Sequence, residues 1–247
     1  KGDQAVTTFI MEMMERSESV ERVYVTATKP KVAASLFRGY GKVSFVPYGS
    51  RFYAPEGSSL FAKVMRRVHQ VMFCRVDFPR MVRAVMEGEG QKGVLTKSAS
   101  LVRLYRESSG AIVTGGHHLT TMRDTEMIAP IPYDMGLACL SHTPLYLWSQ
   151  SIGPLDIKGA ENKGFVARLL GAAKELYVRE SSSVPVVEDF GVDSKRVRKT
   201  YDSVFGLAGI YSDLRESHER DDCMGVSLFF GNMRTQQEED RYVEMMV

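Results

Sequence analysis

The stretch LYLWSQSIGPL, Leu145 to Leu155, followed by VRESSS, Val178 to Ser183, decides the fold. Leu145 to Trp148 is a short apolar run of the length a buried strand needs, and it ends in small and polar residues. Gly153-Pro154 then stops it, because Gly relaxes the backbone while Pro removes a donor and fixes φ. Leu176 to Val178 repeats the pattern and hands over to Arg179, Glu180 and three serines. A helical stretch lies between the two. Two strand-to-loop transitions with polar cargo, joined through a helix, predict a parallel α/β sheet whose carboxyl edge holds a site.

Working outward, residues 4 to 19 read as a helix with Ala5, Phe9 and Met13 on one face. Val23 to Thr28 and Val43 to Val46 read as strands, each ended near a proline. Ser58 to Met86 is helix-rich, with Leu60, Val64, Val68 and Met72 at helical spacing and a break near Asp77 to Pro79. EGEGQKG, 87 to 93, reads as a turn. Ser98 to Glu107 is a short helix, and Ala111 to Val113 a buried strand opening onto the loop TGGHHL, 114 to 119. Thr125 to Leu140 reads as an irregular helix interrupted by Pro130 and Pro132. A helix near 183 to 190 and a strand at Val197 to Tyr201 follow. The alternation βαβα predicts one parallel sheet covered on both faces. Residues 1–205 read as the first domain, 206–223 as a polar linker, and 224–247 as the opening of a second domain, with a strand at Gly225 to Phe230. A start at Lys1 and a stop at Val247 inside an amphipathic stretch read as a piece of a longer protein.

Composition bounds the function. Hydrophobic residues at 44% and charged residues at 25% are ordinary globular values. A net charge of +2 gives no argument for a nucleic-acid partner or a membrane surface, although local basic clusters can still matter. No apolar run reaches the roughly 18 residues of a spanning helix. Cys74, Cys139 and Cys223 are few, scattered and odd in number, so they read as reduced thiols rather than a disulfide frame or metal site.

Three places carry candidate chemistry, each with a plainer alternative. Gly115 and Gly116 after a strand let a ligand approach the backbone and put His117 at the sheet edge; the alternative is a simple turn bearing surface histidines. Adjacent histidines make poor co-ligands and no Asp, Glu or Cys set accompanies them, so no metal is expected. Asp3, in Gly2-Asp3-Gln4-Ala5, is either the N-cap of the first helix or a carboxylate at a strand-to-helix corner. Arg179 directly follows a buried strand; its fork suits a phosphate or carboxylate, and the alternative is an ion pair with Glu180, Glu188 or Asp189. The TGGHHL loop is not a GxGxxG fingerprint, and no GxSxG elbow is present.

Taken in order, GDQA, TGGHHL, SQSIGP, VRESSS and YDSVF resemble the motifs of the polysaccharide pyruvyl transferase family. The matching positions are Gly2, Asp3 and Ala5; Gly115 and Gly116; Gln150, Ile152, Gly153 and Pro154; Arg179 and Ser183; and Asp202 and Phe205. The sequence departs from the family pattern at His117, Ser151 and Glu180. The resemblance implies a GT-B-like pair of Rossmann-like domains, with the first strand of the first domain missing here. It implies transfer of pyruvyl from phosphoenolpyruvate to a sugar as a ketal, with phosphoenolpyruvate as donor substrate and no separate cofactor. Arg179 would hold the anionic donor and Asp3 would act as base. Gly2, Gly115, Gly116, His117, Gln150, Gly153, Ser183 and Asp202 would line the substrates. The expected partners are this donor and a sugar or polysaccharide acceptor, without nucleic acid. The expected place is the cytoplasm, or a Golgi lumen in a eukaryote. This piece alone is expected to be inactive. Two rivals stay open: a GT-B glycosyltransferase using a nucleotide sugar, and a catalytically silent glycan-binding relative.

Overall fold

The computed structural model describes residues 2–49, 59–88, 99–121 and 131–211. The chain divides into compact units at Lys1–Ile210 and Tyr211–Val247, and of the second only Tyr211 is among the described residues. The strand expected at Gly225 to Phe230, and the start of the irregular helix at 125–130, lie outside them.

The first block is α1 (Gly2–Arg16), β1 (Val23–Ala27), α2 (Pro30–Leu36) and β2 (Val43–Pro47). Val6 and Met11 are the buried residues of α1. Its last turn also fixes the entry to β2, because Glu15 accepts hydrogen bonds from the Gly41 and Lys42 amides at 2.9 and 3.0 Å. Pro30 opens α2, where its fixed φ suits the helix and its missing N–H is not needed. β1 and β2 pair in parallel with Val23 opposite Val43. Because α1 begins at Gly2, Gly2 and Asp3 lie in its first turn, and Asp3 is not the N-cap ahead of it.

The next helical stretch runs through α3 (Leu60–Met72), a π-helical turn at Phe73–Asp77, and α4 (Phe78–Glu87). The Ser59 hydroxyl accepts from the Ala62 amide and caps α3. The expected break at Asp77 to Pro79 takes the form of this widened turn, since Pro79 can neither donate nor tolerate a tight preceding turn. α5 (Ala99–Glu107) follows.

The remaining strands are β3 (Ala111–Val113), β4 (Gly116–Leu119), β5 (Leu145–Ile152), β6 (Ala173–Val178) and β7 (Val197–Lys199). Between and after them lie α6 (Ile131–Leu140), α7 (Ala160–Ala172), α8 (Ser183–Asp189) and α9 (Leu207–Ile210). The strands form one parallel five-stranded sheet in the order β3-β5-β6-β7, with β4 also on β5. Helices lie on both sides. The expected single sheet is therefore two: β1 and β2 pair only with each other among the described residues. The first residues of the expected polar linker, Leu207 to Ile210, are helical.

The core joins β5 and β6 to α4, α6 and α7 through Leu147, Leu176, Val178, Met81, Leu137 and Leu169, all buried. Each such side chain contributes about 1.5–3 kcal/mol by leaving water. The Phe78 and Phe165 rings meet edge-on at 5.7 Å. α6 is buried nearly all round, which matches its uniformly apolar sequence apart from Asp134. One Asp134 oxygen accepts from the Gly49 amide at 2.8 Å, while the other is buried without a partner among the described residues. Burial raises this carboxyl from 3.8 to about 8, with the Gly49 bond opposing the rise. Cys74 and Cys139 are half-buried free thiols. Burial pushes Cys139 up to about 11.

Candidate functional site

All strands of the larger sheet run the same way, so their carboxyl ends share one edge. β5 organises that edge, and it is longer than expected. Its polar half, Ser149 to Ile152, stays in the sheet opposite β4, so the expected TGGHHL and SQSIGP loops are largely paired strand. The burial becomes possible because each polar side chain finds hydrogen-bond partners, Ser149 and Gln150 on the backbone and Ser151 on side chains. Ser149 takes φ of 54° as the pairing register with β6 shifts, and its hydroxyl donates to the Tyr201 carbonyl at 3.0 Å and accepts from the Ser203 amide at 3.2 Å.

Gln150 is fully buried. Its side-chain amide donates to the carbonyls of Val113, Thr114 and Trp148 at 2.9, 2.6 and 3.1 Å. The first two lie where β3 gives way to β4, so one side chain replaces the ladder across the gap. Gly115 sits in that gap, and a Cβ there would fall 2.8 Å from the Ser149 carbonyl oxygen; only glycine lets the backbones approach this closely.

Arg179 follows β6 and binds back onto this edge. Its backbone amide donates to the Gln150 carbonyl at 3.0 Å. Its Nε donates to the Ser151 hydroxyl at 2.5 Å and to Glu180 Oε1 at 3.0 Å, and its Nη1 pairs with Asp202. The Ser151 hydroxyl in turn donates to Glu180 Oε1 at 2.7 Å. Asp202 also caps the turn Ser203–Gly206 by accepting from the Val204 amide at 3.0 Å. The Arg179 and Asp202 side chains are 22% and 25% exposed, so this pair is screened less than a surface pair. Arg179 Nη2 has no partner among the described residues. Ser183 is buried and accepts from the Ile152 amide at 2.9 Å, which ties the start of α8 to the end of β5.

Gly153 and Pro154 form a turn beside this cluster, joined by a cis peptide bond. Gly153 has φ of 104°, and a Cβ on it would meet Val186 at 2.9 Å. The Gly153 amide donates to the Leu119 carbonyl at 2.8 Å, and its own carbonyl receives the His117 Nε2–H at 2.5 Å. His117 lies in β4, exposed, and buried Gly116 opens that strand. An open hollow of about 590 Å³ lies beyond Pro154, with Asp156, Lys163 and Asp189 on its walls. None of the Arg179 network lines it.

The structure thus brings Gln150, Arg179, Ser183 and Asp202 into one hydrogen-bonded set, with Gly115 packed against Ser149 and Gly116, His117 and Gly153 next to it. α1, which carries Gly2 and Asp3, reaches the same region through Phe9, whose ring lies against Gly206. The sequence pattern does not single out Ser149, Ser151 as a direct Arg179 partner, or Lys199. Lys199 ends β7 and donates to the Ser181 hydroxyl at 2.9 Å. A cation on the last residue of a strand, as in VRKTYD, was the available signal. Among the described residues no group of three or more His, Cys, Asp or Glu is placed to hold a metal ion.

This geometry defines a parallel α/β protein with a cluster of Arg, Ser and carboxylate side chains at the carboxyl edge of its sheet. The family model described as polysaccharide pyruvyl transferase matches residues 35–242, and the chain belongs to that family. The matched span begins after Gly2 to Ala5. No curated protein and no solved structure matches the chain.

Proposed function

We propose that the protein moves a pyruvyl group from phosphoenolpyruvate to two hydroxyls of a sugar in a polysaccharide or glycan precursor. Family membership over residues 35–242 carries this reading, and the Arg179 cluster at the carboxyl edge supports it. In the reaction two sugar oxygens bond to C2 of the donor and the C2–O bond to phosphate breaks. One hydroxyl proton ends on C3, making the methyl group, and the other leaves with phosphate.

Such chemistry needs cations for the donor and a base for the hydroxyls. Arg179, through Nη2, and Lys199 are the cations of this edge. An anion arriving at Arg179 competes with Asp202, which frees Asp202 to accept a hydroxyl proton at the moment the donor binds. We keep Asp3 as a second candidate base. Gln150 and Ser183 act on the substrates through the strand ends they hold. The GT-B-like architecture and a cytoplasmic or Golgi-lumen place of action belong to the same proposal.

The test is phosphate release from phosphoenolpyruvate by the full-length protein with a galactoside acceptor. Arg179→Ala should lower kcat/KM for the donor about 10- to 100-fold, the range of one charge-assisted contact. An unchanged value removes Arg179 from the site. Nucleotide release from a sugar donor, with no phosphate from phosphoenolpyruvate, overturns the reaction.

A further inference from the structure

α3 faces the wrong way for a core helix. At about 100° per residue, Leu60, Val64, Val68, Val71, Phe61 and Met72 fall on one arc roughly 120° wide. All six are exposed, Leu60 at 78% and Phe61 at 73%. The only buried residue of the helix is Ala62, on the opposite side. The apolar face therefore looks into solvent, and the helix leans on the protein through its small and polar side.

The charge on the remaining surface is one-sided. Lys63, Arg66 and Arg67 are exposed, and α3 contains no acidic residue. Arg75, Arg80 and Arg83 continue the exposed basic series through the π-helical turn and α4. An apolar arc bordered by long cationic side chains, whose stems can lie back along apolar surface, is the pattern of a helix lying in a lipid headgroup layer. Two copies of α3 facing each other would bring like charges together, and an apolar protein groove would offer Lys63 and Arg67 no counter-charge. An anionic bilayer satisfies both features at once. No described helix is long and apolar enough to cross a membrane, so α3 would lie in the surface plane.

We propose that α3 docks the protein onto an anionic lipid surface. The docking is independent of pyruvyl transfer and would be read in the absence of donor. The full-length protein is floated with vesicles of phosphatidylcholine alone, and with vesicles of phosphatidylcholine and phosphatidylglycerol in equal parts. Wild type should co-float with the anionic vesicles and be released by salt. The pairs V64E/V68E and K63E/R67E should each weaken that binding by more than about tenfold, with unchanged thermal melts because these positions are exposed. Absence of co-flotation, or equal flotation by V64E/V68E, overturns the proposal. So does a wild-type self-association that V64E/V68E abolishes, which would give the face to a second copy. A several-degree fall in the melting temperature of V64E/V68E would likewise overturn it, showing the face covered within the protein.

Discussion

Replacing Gln150 with Leu isolates the joint between β3, β4 and β5. The substitution keeps a buried side chain of similar size but deletes the donor shared by the Val113, Thr114 and Trp148 carbonyls. An orphaned buried acceptor is worth about 1–3 kcal/mol. The Trp148 contact is the longest of the three at 3.1 Å and the most readily lost. Against this, the variant no longer buries the Gln150 Oε1 atom, which has no partner among the described residues; that relieves about 1–2 kcal/mol. The net expectation is a loss of about 2–4 kcal/mol, or roughly 5–15 °C for a unit of this size. Urea unfolding can be followed by fluorescence of Trp148, the only tryptophan, two residues from the change and 4.8 Å from the Tyr177 ring. A loss under about 1 kcal/mol with an unchanged m value would mean that the amide does not hold the joint.

Asp134→Asn should remove a pH dependence of stability. The unfolded carboxyl releases its proton near 3.8 while the folded one keeps it to about 8, so wild type loses stability as pH rises across that window. The loss approaches about 1.4 kcal/mol per pH unit, and parallel wild-type and Asn curves from urea midpoints at pH 5 and 7.5 would refute the burial argument. Gly115→Ala should destabilise the fold by about 1–3 kcal/mol through the clash with the Ser149 carbonyl, measured by thermal melt. Asp3→Asn should lower turnover of the full-length protein with little change in melting temperature; normal turnover would remove Asp3 from the chemistry.

Most of the order of helices and strands was legible because period and punctuation are local, although α2 and β4 were not read. Pro79 marked the irregular turn before α4, and Ala111 to Val113 was a strand as read. The polar half of β5 was not legible as strand. Its burial depends on partners at Thr114, Tyr201 and Ser203 that lie far along the chain. α3 failed differently: spacing located the helix but could not say which side would meet the core, and the apolar side does not. At the site, Arg179 stood out after its strand, and Glu180 was among its expected partners. Asp202 was named as a substrate residue but not as a partner of Arg179, because their pairing is set by β6 lying beside β7.

The gap between β3 and β4 also bears on how the protein keeps to itself. Among the described residues these strands have no neighbour on their outer side, so they form an open border of the sheet. A continuous border would offer a foreign strand a row of unmet backbone groups and invite edge-to-edge aggregation. Here such a strand would find three residues of β3, a break at Thr114 and Gly115, and then four residues of β4. Neither piece is long enough to template a stable ladder, so the interruption that Gln150 bridges also blunts the sheet against self-assembly.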